Sequence, residues 1–209
     1  MLTELFRGFY VNIDYNTLTF DEMHHNGMRL AQMLYNYGWT ENSIAGILGN
    51  VHAESTLDPG CMEGQKPWST FPTNQEILQS SYLLGIGFTQ WTPGRDKIVQ
   101  FAEDHNLIWY DGRTQVLRLK WECDTGYQMG GWQWYIRSED PPADLAEYFL
   151  RQYERPSQQQ IEQTLAERRR LGTYWYGEIH DKLVSPVRRI ITSKNNRTKK
   201  EMKPRCQKI

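Results

Sequence analysis

Apolar positions recur at helical spacing over most of this 209-residue chain and lose that period in a single central stretch. Thr19-Phe-Asp-Glu22 has the spacing of a capping box and predicts a helix running to about Tyr37, with Gly38 as its stop. Thr40 predicts the cap of a second helix, which reaches Glu54 before a Pro59-Gly60 break. Residues 61–92 are rich in Gly, Pro, Ser and Thr and read as loops with a small hairpin. Helices return at about 94–106, 113–123 and 128–137. Pro141-Pro142 opens another, in which Leu145, Tyr148, Phe149 and Gln152 share a face, and Pro156 ends it. A last helix covers about 158–182, with Gly172 as a candidate interruption. A helix-rich body with one small β region is an α+β fold, mostly α.

The second helix carries the most specific pattern. On a wheel of ~100° per residue, Ile47, Leu48 and Val51 fall within about 60° of Ile44, forming one apolar stripe. Ala45, Gly46, Gly49 and Ala53 occupy the opposite side. Two glycines inside a helix cost up to ~1 kcal/mol each, so their presence predicts close packing there. Glu54 lies about 80° from the stripe centre, in the last turn. A helix buried on two sides leaves that carboxyl half-desolvated, and desolvation raises a carboxyl pKa, as a general acid working near neutral pH requires. The competing reading is a solvated Glu at a frayed helix end.

Gly85-Ile-Gly-Phe-Thr-Gln-Trp-Thr-Pro93 is glycine-rich, aromatic and extended, and suits the facing wall of a groove. One acid against such a wall is an arrangement that protonates a glycosidic oxygen. Thr40-Glu-Asn-Ser-Ile-Ala-Gly-Ile-Leu-Gly-Asn-Val-His-Ala-Glu-Ser-Thr-Leu-Asp-Pro-Gly60 resembles the signature of the phage tail lysozyme family. Gly87-Phe-Thr-Gln-Trp-Thr-Pro93, Leu145-Ala-Glu-Tyr-Phe-Leu-Arg-Gln-Tyr-Glu-Arg-Pro156 and Tyr174-Trp-Tyr176 resemble later blocks of that family in the same order. The likeness covers roughly residues 17–180 and implies a lysozyme-like fold in which Glu54 stands at the family's catalytic acid. It also implies a peptidoglycan substrate, other virion tail proteins as partners and a place in the virion tail, while the cysteine pattern and the N-terminus described below point to synthesis in the host cytoplasm. The segment between Gly60 and Gly85 is long, and Lys66-Pro-Trp-Ser-Thr-Phe-Pro72 has no counterpart. The family's larger members add a zinc endopeptidase domain, for which 209 residues leave no room.

Glycosidases generally use two carboxyls, and Asp58, Glu63 and Glu76 are the candidates for the second, with Glu63 preferred. Glu54-Ser55 with a later Gly-x-x-Gln also resembles lytic transglycosylases, which need one Glu alone, so hydrolysis and transglycosylation stay open. The expected substrate-binding residues are Gln90, Trp91, Thr89 and Ser55, and Gln90, Trp91 and Ser55 each have a structural alternative. Gln90 either reaches a sugar amide or satisfies backbone. Ser55 can bond a free carbonyl at the helix end. Trp68 and Phe71 are candidates to cap the groove, and Glu154-Arg155 reads as an ion pair beside it, with a substrate bond from Glu154 as the alternative.

Composition narrows the classes. Five histidines include no His-x-His or His-Glu-x-x-His spacing, so neither metal nor other cofactor is expected. Cys61, Cys123 and Cys206 are odd in number and far apart, which reads as reduced thiols. No stretch approaches the ~20 apolar residues of a membrane span, and the N-terminus lacks the pattern of a signal peptide. From Arg188 to Lys208 nine Lys or Arg stand against Glu201 alone, a local +8 in a chain of net −1, leaving −9 for residues 1–187. The expected organisation is an N-terminal extension at 1–16, a lysozyme-like catalytic domain at 17–184 and a basic, flexible tail at 185–209. That tail could be a solvated extension, an arm for DNA or an acidic virion protein, or a tether to an anionic wall. A virion-associated muramidase, a free endolysin and an inactive assembly protein remain the functional classes.

Overall fold

The computed structural model describes residues 3–12, 18–64 and 68–185. It is mostly helical with a small antiparallel sheet, an α+β architecture. Strands β1 (Thr3–Phe6) and β2 (Phe9–Asn12) form a hairpin. The helices are α1 (Phe20–Asn36), α2 (Glu41–Ser55), α3 (Asn74–Leu78), α4 (Gln100–Asp104), α5 (Gly112–Thr125), α6 (Trp132–Tyr135), α7 (Pro142–Phe149) and α8 (Gln158–Ile179).

The helix starts lie where the local chemistry puts them. Thr19 and Glu22 form the reciprocal capping box of α1, and Thr40 accepts from the Ser43 amide to begin α2. The terminus of α2 is set by two left-handed residues, Thr56 (φ 50°) and Leu57 (φ 59°), which turn the chain sharply after Glu54. α2 is the central element, packed chiefly on α8 and α7, which also pack on each other. Ile44, Ile47, Leu48 and Val51 are fully buried, and Ala45, Gly46 and Gly49 on the opposite side are buried too. Ala53, at the helix end, is exposed instead.

Four expectations change. The regular strands lie inside the segment read as an N-terminal extension, where Phe9 and Val11 are fully buried and Phe9 packs on Phe88. In 61–92, the expected hairpin is reduced to the isolated bridges Met62–Ile86 and Ile86–Trp91, and α3 adds one short helix. α8 runs through Gly172 without a break. α7 passes directly into a π-helical turn, Leu150–Glu154, and the extra residue in that turn shifts the register. Gln152 is therefore exposed, while Tyr153 is buried. The basic tail lies outside the described residues.

Candidate active site

Glu54 opens onto a cleft of about 430 Å³ at the C-terminal end of α2. Glu63 and the 89–92 stretch also line it, as do Tyr153 and Glu154 of the π-helical turn. The lining is polar, with Lys97, Gln128 and Gln160 contributing side chains. That suits hydroxyl and amide recognition more than an apolar ligand.

Glu54 keeps 24% of its side-chain surface exposed and pairs with Arg168 of α8. The other arm of that guanidinium reaches Glu154 at 2.9 Å and Asn50 Oδ1 at 3.1 Å. Arg168 is thus a buried fork between two carboxyls, 7% exposed. Burial pushes the Glu154 carboxyl well above the usual range; the Arg168 charge pulls the other way, and the nearby Glu54 adds to the rise. The expected Glu154–Arg155 ion pair does not form. Arg155 adopts a left-handed backbone (φ 53°), donates to the Gln152 and Gln128 carbonyls, and leaves Glu154 to Arg168.

Glu63 is exposed, accepts from the Gly85 amide at 2.9 Å and lines the same cleft as Glu54. Asp58 does not. It is 5% exposed and accepts from the Gly60 amide at 2.7 Å and the Asn12 amide at 3.2 Å, tying the Pro-Gly turn to β2. A carboxylate consumed by backbone donors cannot also face a sugar. Glu76 is used in the same way, as the capping-box partner of Thr73 in α3.

Ser55 is also turned inward, its one hydroxyl proton shared between the Val51 and Phe88 carbonyls, each at 3.0 Å. It fastens the helix end to the glycine-rich wall and offers nothing to a substrate. Gln90 lines the cleft in a left-handed conformation (φ 47°), but its amide nitrogen donates to the Gly87 carbonyl at 2.8 Å. The backbone alternative therefore holds for that donor. Thr89 lines the cleft and is buried. Trp68 packs against Tyr82, and Phe71 stacks on Tyr110 at 4.4 Å, so neither caps the cleft.

Trp91 lines the cleft at 3% exposure, as a wall and not as an open stacking platform. Its indole nitrogen donates to Glu122 at 3.2 Å. Glu122, fully buried on α5, also accepts from Arg118 at 2.8 Å and from the Tyr153 hydroxyl at 2.6 Å. Burial raises the Glu122 pKa against the lowering by these three partners. Behind the wall, Gln115 of α5 accepts from the Phe88 amide and donates to the Pro59 and Trp109 carbonyls. Gly87 (φ 80°) passes so close that a Cβ would lie 2.7 Å from the Gln115 amide. Helix position alone did not mark Glu122, Gln115 or Arg168, because each acts through partners distant in sequence.

Among the described residues no cluster of three or more His, Cys, Asp or Glu could hold a metal ion, and Cys123 is a buried free thiol. No helix of those residues is long and apolar enough to cross a membrane.

The sequence that builds this cleft is similar to known proteins. Over 164 residues the chain is 30% identical to Morphogenesis protein 1 of Bacillus phage B103, an alignment covering 76% of this chain and 40% of that protein. The chain therefore spans well under half the length of that relative. Residues 25–179, which include α2, the cleft wall and the whole of α8, match the phage tail lysozyme family. This chain belongs to the phage tail lysozyme family.

Proposed function

We propose that the protein is a virion-associated muramidase that cleaves the β-1,4 glycan strands of peptidoglycan during phage DNA entry, with Glu54 as its general acid. The observation that carries this reading is the place of Glu54, at the end of a buried helix and partly open to a polar cleft, in a chain of the phage tail lysozyme family. In this mechanism the Glu54 proton passes to the glycosidic oxygen as the bond to the sugar breaks. A water molecule then closes the cationic centre. Glu63 faces the same cleft and is the candidate to steady that water or the developing charge. The Thr89–Trp91 wall, held from behind by Glu122, shapes the sugar site.

Loss of Asp58 to backbone bonding favours one alternative, a lytic transglycosylase in which the substrate's own neighbouring group replaces water. Purified peptidoglycan treated with the protein and examined by mass spectrometry separates the two. Reducing muramic ends are expected, whereas anhydro ends would leave Glu63 without a catalytic part. Absence of any glycan cleavage by the folded protein would favour an assembly role, in keeping with the name of the B103 relative. The basic run 188–208 supports attachment to an acidic virion protein or DNA, an electrostatic contact that weakens as salt rises.

A further inference from the structure

The general acid of this cleft does not stand alone. Arg168 offers one nitrogen to Glu54 and another to Glu154, and the backbone carbonyl and side chain of Asn50 hold the fork in place. Beyond that ion pair and its Glu54 neighbour, neither Glu154 oxygen takes a well-formed hydrogen bond among the described residues, although the side chain is only 9% exposed. Two carboxyls against one guanidinium balance in charge when they carry one proton between them. An isolated buried carboxylate with no such partner costs several kcal/mol.

We propose that Glu154 and Arg168 are positioning residues that keep one proton on the Glu54–Glu154 pair, so that Glu54 meets the glycosidic oxygen in its acid form. With the proton on Glu54, the Arg168 charge is taken up by Glu154. As the glycosidic bond breaks, its electron pair and the Glu54 proton go to the leaving oxygen, and Arg168 then holds two carboxylates. The proton lost by the attacking water, or by the substrate's own attacking hydroxyl, returns to the pair. The other titratable groups facing it are Tyr135 of α6 and Tyr153 of the π-helical turn, both held neutral by burial, and Glu63 and Lys97 on the cleft lining. Burial of the Glu154 carboxyl favours a proton held by the pair, resting on Glu154 until Glu54 is called on to give it up.

This inference rests on Glu54 being the acid, and the experiment separates the two. Rates of glycan cleavage are measured against pH for wild type, Glu154→Gln and Arg168→Gln. Removing Glu154 leaves the Arg168 charge to Glu54 alone. The alkaline limb of the profile should then move down by about one pH unit or more, a roughly tenfold loss above it, with little change in KM. Removing Arg168 should move the limb up. A merely structural role would lower the amplitude in both variants without moving the limb, and that result overturns the proposal while Glu54→Gln remains dead. An active Glu54→Gln overturns the acid assignment and this proposal together. If either variant fails to fold, carboxyl-carbon NMR of the wild type decides. One Glu carboxyl titrating well above the usual range and lost in Glu54→Gln is expected, and uniform titration at ordinary values refutes the shared proton.

Discussion

Gly49 of α2 meets Gly172 of α8 at backbone contact: a Cβ built on Gly49 would lie 2.6 Å from the Gly172 nitrogen and 2.9 Å from the Arg168 carbonyl. This closeness lets α8 present Arg168 to Glu54, further toward the C-terminal end of α2. The obstructing atoms are backbone, which cannot rotate away. Gly49→Ala should therefore destabilise the protein by about 1–3 kcal/mol and lower cleavage through the displaced Arg168. Urea denaturation at neutral pH measures the first, and a change below a few tenths would show that the two helices can separate freely.

Glu54→Gln should reduce peptidoglycan cleavage by a factor on the order of 10²–10⁴ while the melting temperature stays nearly unchanged. The amide keeps the shape and can still accept from Arg168, but it has no acidic proton to give. Near-normal clearing by this variant would place the acid elsewhere.

Glu122→Ala should be severely destabilising, by about 3–5 kcal/mol. It leaves Arg118, 8% exposed, without its carboxylate and strips the acceptor from Trp91 and Tyr153. The loss is read by denaturant unfolding. A cost under about 1 kcal/mol would mean that water or a neighbour replaces the carboxylate.

His52 contributes a pH dependence of known sign. Its Nδ1 accepts from the Trp175 indole at 3.2 Å, which requires the neutral ring, and burial lowers its pKa below the ordinary 6.5. The unfolded chain then takes up a proton before the folded one does. The stability from this site is complete above pH 6.5 and is lost as pH falls through that value toward the depressed folded pKa. His52→Asn, which retains an acceptor without titrating, should flatten this part of the stability curve. An unchanged slope in the variant would assign the dependence to other groups.

Local chemistry determined a large part of this protein from sequence alone. The capping residues Thr19 and Thr40, the two-sided burial of α2 and the position of Glu54 at its end depend on neighbours a few residues away, so period and cap signals report them. The small residues Gly46 and Gly49 foretold close packing on that side of α2, though not what supplies it. The tertiary structure decided which polar groups are free to act. Asp58 and Ser55, and the Gln90 amide nitrogen, carry the right chemistry near Glu54, yet each is consumed by backbone partners that the turn after α2 brings near. Glu154 reaches the cleft because a π-helical turn shifts its register, and Arg168 lies 114 residues from the carboxyl it pairs with. Those placements follow from how α2, α7 and α8 pack, and long-range packing leaves no periodic trace in the chain that it brings together.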